Sequence, residues 1–178
     1  MTTAKKPAKS SSTAPAKSAA RSQGPDAITL LKADHAEVKQ CFKDYEKPAK
    51  ANAPDDQKQA LAEKICMLLT VHATIEEEIF YPASRAVLDD AALVDEADVE
   101  HAGAKDLIAQ IQVMDASMDH YDARVKVLGE YIDHHVKEEQ DELFPKVKKA
   151  GLDSKSVGEQ LSARKDELMA DVVEPATT

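Results

Sequence analysis

Apolar positions recur along most of this chain at the three-and-four spacing of an amphipathic helix. Asp26, after Gly24-Pro25, is placed to cap a first helix. Its apolar line runs Ile28, Leu31, Val38, Phe42 and Tyr45, and Pro48 with the KANAPDD stretch is expected to end it. A second helix starts near Asp55 and runs through Leu61, Ile65, Leu68, Leu69, Ile75 and Ile79 to Pro82. A third, from about Ala91, carries Val94, Ala97, Ala104, Ile108 and Ile111. The fourth runs from about Asp119 through Val125, Leu128, Ile132 and Val136 to Leu143 and Phe144. Pro82 and Pro145 are placed to kink or close the last turn of their helices. Four such helices with short connections predict an all-α fold, an antiparallel up-down four-helix bundle over residues 26–150. After Gly151, Asp153 or Ser154 can cap an extra C-terminal helix within residues 151–178, with Val157, Leu161, Leu168 and Val172 as a thin apolar stripe. That stripe fits the bundle or a second subunit equally well, so the pattern leaves the oligomeric state open.

The periodicity is missing from residues 1–25, which are Ala, Lys, Ser and Pro with almost no large apolar side chain. They are expected to form a disordered basic tail, because they bury too little to offset the entropy of ordering. Lys5, Lys6, Lys9, Lys17 and Arg21 stand there without an acid, so a net charge of −10 leaves −15 on the remainder. An acidic body repels nucleic acid, so any such contact falls to the tail. The tail reads first as a solvated segment, and its composition also fits an organelle transit peptide. Aromatic residues make up 4% and Trp is absent, which argues against a sandwich or barrel. The longest apolar run is too short to cross a bilayer. Only two cysteines, Cys41 and Cys66, are present, which points to a reducing, cytoplasmic setting. Both read as small core residues, with a redox pair as the alternative.

Candidate chemistry lies in an internal repeat. The segment from His72 through Glu76-Glu77-Glu78-Ile79-Phe80-Tyr81-Pro82 recurs from His135 through Glu139-Gln140 to Leu143-Phe144-Pro145, at a constant offset of 63. Each copy has a histidine one helix upstream, in Asp34-His35 and in Glu100-His101, 37 and 34 residues earlier. This reads as a duplicated helix pair. His and Glu at i, i+4 lie about 40° apart around a helix and about 6 Å along it, so both reach one centre. His72 with Glu76 and His135 with Glu139 are two such pairs, and His35 and His101 stand mid-helix on apolar faces. Six convergent N and O groups in a core need something cationic between them. Four imidazoles and two carboxylates without thiolate suit iron, manganese or zinc. Six groups crowd a lone zinc, so two metals fit better, with the carboxylates able to bridge them.

These motifs resemble the hemerythrin-like (HHE cation-binding) family: His35, then His72-x-x-x-Glu76-Glu77 ending in Phe80-Tyr81-Pro82, then Glu100-His101, then His135-Val-x-x-Glu139 ending in Leu143-Phe144-Pro145. The resemblance covers roughly residues 26–148 and implies an antiparallel four-helix bundle with a non-haem di-iron centre. By motif position it implies His35, His72, Glu76, His101, His135 and Glu139 as ligands of two iron ions, carboxylate- or oxo-bridged, with manganese or zinc behind iron. The implied partners are oxygen, peroxide or nitric oxide. Two departures stand out. Oxygen-carrying hemerythrins have a fifth histidine where this chain has Lys105, and Gln140 replaces the second acid of the later motif. Fewer histidines leave more open coordination than simple reversible oxygen carriage uses.

Three further residues stand as secondary candidates. Glu77 could join as a ligand, with a supporting or solvated role favoured. His134 is about 100° around the helix from His135, and a register slip would pair it with Glu138. Tyr131, one turn before His135, is the tyrosine singled out as a possible radical carrier. The functional expectation is a metal-binding protein that binds or senses oxygen or related oxidants, or handles iron. A di-iron enzyme acting on peroxide or nitric oxide is the alternative, and a metal-free helical interaction module the third reading.

Overall fold

The computed structural model describes Met1, residues 24–51 and residues 53–173. The expectation for the tail therefore lies outside the described residues, except at Met1, Gly24 and Pro25. Asp26 caps α1 (Ala27–Lys50), accepting from the Thr29 amide at 3.1 Å and the Thr29 hydroxyl at 2.8 Å. Pro48 does not end this helix but sits within its last turns. Only the Asp44 carbonyl lacks its usual donor there, and the chain is about to leave the helix anyway.

Neither Pro82 nor Pro145 ends its helix. α2 (Asp55–Ile75) passes through a π-helical turn, π1 (Glu76–Phe80), into α3 (Tyr81–Val87). α5 (Tyr121–Glu138) likewise passes through π2 (Glu139–Leu143) into α6 (Phe144–Lys149). A proline has no N–H to donate, and its ring crowds the carbonyl four residues back. A wider turn just before it lets the rod continue: the Tyr81 amide donates to the Glu76 carbonyl and the Phe144 amide to the Glu139 carbonyl, five residues apart. Such widened turns concentrate at functional sites. Here each opens at a glutamate of the repeat.

With α4 (Ala92–Gln112), these rods form an antiparallel four-helix bundle in which α1 and α4 each pack on both α2 and α5. No strand occurs among the described residues, and none of their helices is long and apolar enough to cross a membrane. The core falls into two clusters. One holds Val38, Cys41, Tyr45, Ile65, Cys66, Leu69, Ile108 and Leu128, and the other Leu31, Ile75, Phe80, Val94, Leu143, Phe144 and Leu161. Each fully buried aliphatic side chain stabilises by about 1.5–3 kcal/mol. Cys41 and Cys66 are free and buried in the first cluster, and burial pushes the Cys66 thiol up to about 11. Between the clusters lies a polar layer, which costs free energy to bury unless something compensates it.

The fifth helix, α7 (Ser154–Val173), docks on this chain's own bundle, against α1, α2 and π1, and buries Val157 and Leu161. Gly158 makes that approach possible, since a Cβ there would collide with the Pro25 carbonyl oxygen and the Ala27 amide. Gly158→Ala is therefore expected to lower stability by about 1–3 kcal/mol through overpacking. The denaturant midpoint should fall accordingly; an unchanged midpoint would mean that α7 does not hold this position in solution.

Candidate metal centre

The polar layer is built by the repeat. α1 supplies His35, α2 His72, π1 Glu76, α4 His101, α5 His135 and π2 Glu139, each no more than 6% exposed. The structure brings all six together. The two histidines of the first half meet Nε2 to Nε2 at 3.0 Å, and those of the second half, His101 and His135, at 3.1 Å. Glu76 Oε2 lies 3.2 Å from His72 and 3.4 Å from His101. Glu139 Oε2 lies 3.3 Å from His35 and 3.6 Å from His135. Each carboxylate therefore spans both histidine pairs.

The other face of each imidazole meets a polar side chain, which bonds three of the four rings. Glu77 takes His101 Nδ1 at 3.0 Å and Glu100 takes His135 Nδ1 at 2.8 Å. The Gln140 amide meets His35 Nδ1 at 3.0 Å, and Asp34 Oδ2 approaches His72 Nδ1 at 3.5 Å. The pattern repeats across the two halves. The acid before each upstream histidine (Asp34, Glu100) faces the histidine of the next helix. The residue after each glutamate (Glu77, Gln140) faces the upstream histidine of the opposite half. Carboxylates accept only, so His101 and His135 donate from Nδ1 and turn Nε2 toward the interior. A carboxylate or carbonyl orienting the far nitrogen is the usual setting of a metal-ligating histidine.

Two imidazoles that both donate from Nδ1 in the neutral form bring lone pair to lone pair at 3.1 Å, an arrangement that a cation between them relieves. Nitrogens bound to one cation at about 2.1 Å, at right angles, stand about 3.0 Å apart. Both oxygens of Glu76 and Oε2 of Glu139 are buried with no hydrogen-bond donor among the described residues. Burial and the charge of Glu139 push the Glu76 carboxyl well above its usual range. Burial also pushes His72 down to about 4. Glu76 lacks a hydrogen-bonded partner among the described residues, and the donor set fits one or two hard-to-borderline cations.

A cavity of about 20 Å3 adjoins the layer, lined by His35, His72, His101 and His135 with Val38, Leu69, Ala104, Ile108 and Ile132. That is room for about one water-sized molecule. Lys105, at the place of the fifth histidine, also lines it and pairs with Glu77.

The secondary candidates fall outside the layer. Glu77 is 30% exposed and bonds His101 from behind. His134 is 64% exposed and stands with Glu138 and Glu100 in a separate surface group. Tyr131 is half-buried and packs its hydroxyl over Gly103. The tyrosine inside the layer is Tyr81, whose hydroxyl donates to Glu139 Oε1 at 3.1 Å and lies 3.0 Å from His101 Nε2. Burial, then the nearby glutamates, raise its pKa far above the ordinary value, so it stays protonated. The repeat offered a signal for it, since Tyr81 and Phe144 occupy matching positions and only one carries a hydroxyl. Asp34 and Glu100 also had a signal, the acid-His pair that both halves share.

A helical bundle that gathers imidazoles and carboxylates at one interior point defines a cation-binding protein. This chain belongs to the hemerythrin family: residues 26–147 match the hemerythrin HHE cation binding domain. Its fold is like that of a hemerythrin HHE cation binding domain-containing protein from Mycobacterium kansasii, with a TM-score of 0.69 and 21% identity over 84% of this chain and 90% of that one. A DNA nickase from Nostoc sp. is 28% identical over 120 residues, which are 67% of this chain and 32% of the relative. The chain thus spans about a third of the length of that curated relative.

Proposed function

We propose that His35, His72, Glu76, His101, His135 and Glu139 hold a non-haem di-iron centre that binds or senses oxygen or a related small oxidant. The observation that carries this reading is the His101–His135 contact, two Nε2 atoms 3.1 Å apart with carboxylates spanning to a second histidine pair. A bound iron pair supplies one-electron chemistry and open coordination positions. The chain supplies the rest. Val38, Leu69, Ile108 and Ile132 make the cavity apolar and small, so it admits a diatomic molecule more readily than an ion or a sugar-sized substrate. Glu77, Glu100 and Gln140 fix three of the rings so that Nε2 faces inward, and Asp34 faces the fourth. Two free, buried cysteines support a reducing, cytoplasmic setting.

Protein purified without chelators is expected to carry about two irons per chain, with near-ultraviolet charge-transfer absorption that changes when oxygen is admitted. Zinc alone, or no metal, would overturn the reading.

Tyr81 favours the enzyme alternative, peroxide or nitric oxide as substrate, because it places a hydrogen-bond donor inside the layer. On that reading iron-loaded protein evolves oxygen from hydrogen peroxide, and Tyr81→Phe, which removes a preorganised donor, lowers the rate by roughly 10²-fold or more while metal content holds. No turnover by the wild type would retire the enzyme reading and leave the oxygen-binding one.

A further inference from the structure

The fifth helix reaches the centre through two adjacent cations. Arg164 forks onto Glu78 in π1, at 2.7 and 3.2 Å, and pins the helix to the turn that carries Glu76. Lys165 goes deeper. Its Nζ lies 2.6 Å from Oδ1 of Asp34, and Asp34 is 7% exposed. The other oxygen of Asp34 faces His72 Nδ1 at 3.5 Å, and neither of those two atoms has a hydrogen-bond partner. The corresponding contacts of the other three histidines are 2.8–3.0 Å. His72 is thus the loosely held imidazole, and the group that faces its Nδ1 is drawn toward Lys165. Glu100, the counterpart of Asp34 in the other half, has His134 beside it at 3.6 Å, 64% exposed, and no lysine among the described residues.

We propose that Lys165 is a positioning residue that sets the metal affinity and reduction potential of the His72 half of the centre, acting through Asp34. The inference rests on the metal-centre reading given above. A carboxylate behind an imidazole makes the ring a stronger donor. A lysine that binds that carboxylate takes back part of its charge and holds it away from the ring. Without the lysine, Asp34 keeps its full negative charge, and His72 Nδ1 is its remaining partner. The ring then donates more strongly and the more highly charged metal state gains most. Neutralising Asp34 acts in the opposite direction. Damage to the fold would instead push both variants the same way.

Redox titration of the iron-loaded full chain tests this. Lys165→Met is expected to favour the oxidised state about tenfold, a fall of about 59 mV for a one-electron couple. Asp34→Asn should raise the potential, Lys165→Arg should restore the wild-type value, and Arg164→Met, which loosens the same helix, should leave it unchanged. Zinc titration of the metal-stripped chain carries the same signs without a redox step, tighter for Lys165→Met and weaker for Asp34→Asn. Shifts of one sign in both variants, or a shift in Arg164→Met equal to that in Lys165→Met, would overturn the role of Lys165 while leaving the centre intact. A wild type that takes up zinc but no iron would overturn the di-iron reading instead, and the opposed zinc affinities would still uphold Lys165.

Discussion

Glu139→Ala is expected to strip the centre and weaken the fold in one step. Its Oε2 reaches a histidine of each pair, and its Oε1 accepts from Tyr81. Removing it therefore takes a donor from both halves at once, where His72→Ala takes one from a single half. Metal binding that favours the native state adds to stability by mass action, about 2.7 kcal/mol when free metal stands a hundredfold above its dissociation constant. Losing that contribution should lower Tm by on the order of 5–10 °C for a chain of this size. Metal analysis and calorimetry on the same sample read both effects. His134→Ala, outside the layer, is the control and should change neither. Unchanged iron in both Glu139→Ala and His72→Ala would remove these residues from the centre.

Glu76→Leu is expected to act in opposite directions on the two forms of the protein. Glu76 is fully buried, and neither oxygen has a donor. In the metal-stripped chain this carboxyl is an uncompensated polar group, and replacing buried ionic groups by apolar ones of similar volume is often stabilising by about 1–4 kcal/mol. Denaturant unfolding of stripped Glu76→Leu should therefore give a higher midpoint than stripped wild type. With metal present the order reverses, because the variant has lost a group that spans both histidine pairs. A metal-free interaction module predicts something else: wild type equally stable before and after chelation, and the variant more stable in every condition.

The bundle was legible because its rods are long and strongly periodic, and the repeat made the convergence of six side chains readable from spacing alone. Other features were not. The prolines at 82 and 145 read as a kink or a close to the last turn of their helices, since proline usually bends or stops a helix. Their cost is absorbed by π1 and π2, and a widened turn has no periodicity of its own to betray it. Tyr81 was passed over for Tyr131, which lies one α-turn from His135, whereas π1 rotates Tyr81 into the layer beneath Glu139 and His101. The partners of the Nδ1 atoms belong to contacts across helices. Asp34 and Glu100 were visible as acid-His pairs, but which imidazole each would face is decided by packing. Lys165 is the extreme case, 131 residues from Asp34, and no local pattern links the two.

Crystals of the metal-loaded chain, measured on either side of the iron absorption edge, put the claim of a paired site to the test most directly. Two anomalous peaks are expected within one interior layer, one against His35 and His72 and one against His101 and His135, with Glu76 and Glu139 touching both. A single peak, peaks confined to the surface group of Glu100, His134 and Glu138, or an empty layer in crystals that hold iron elsewhere would contradict it.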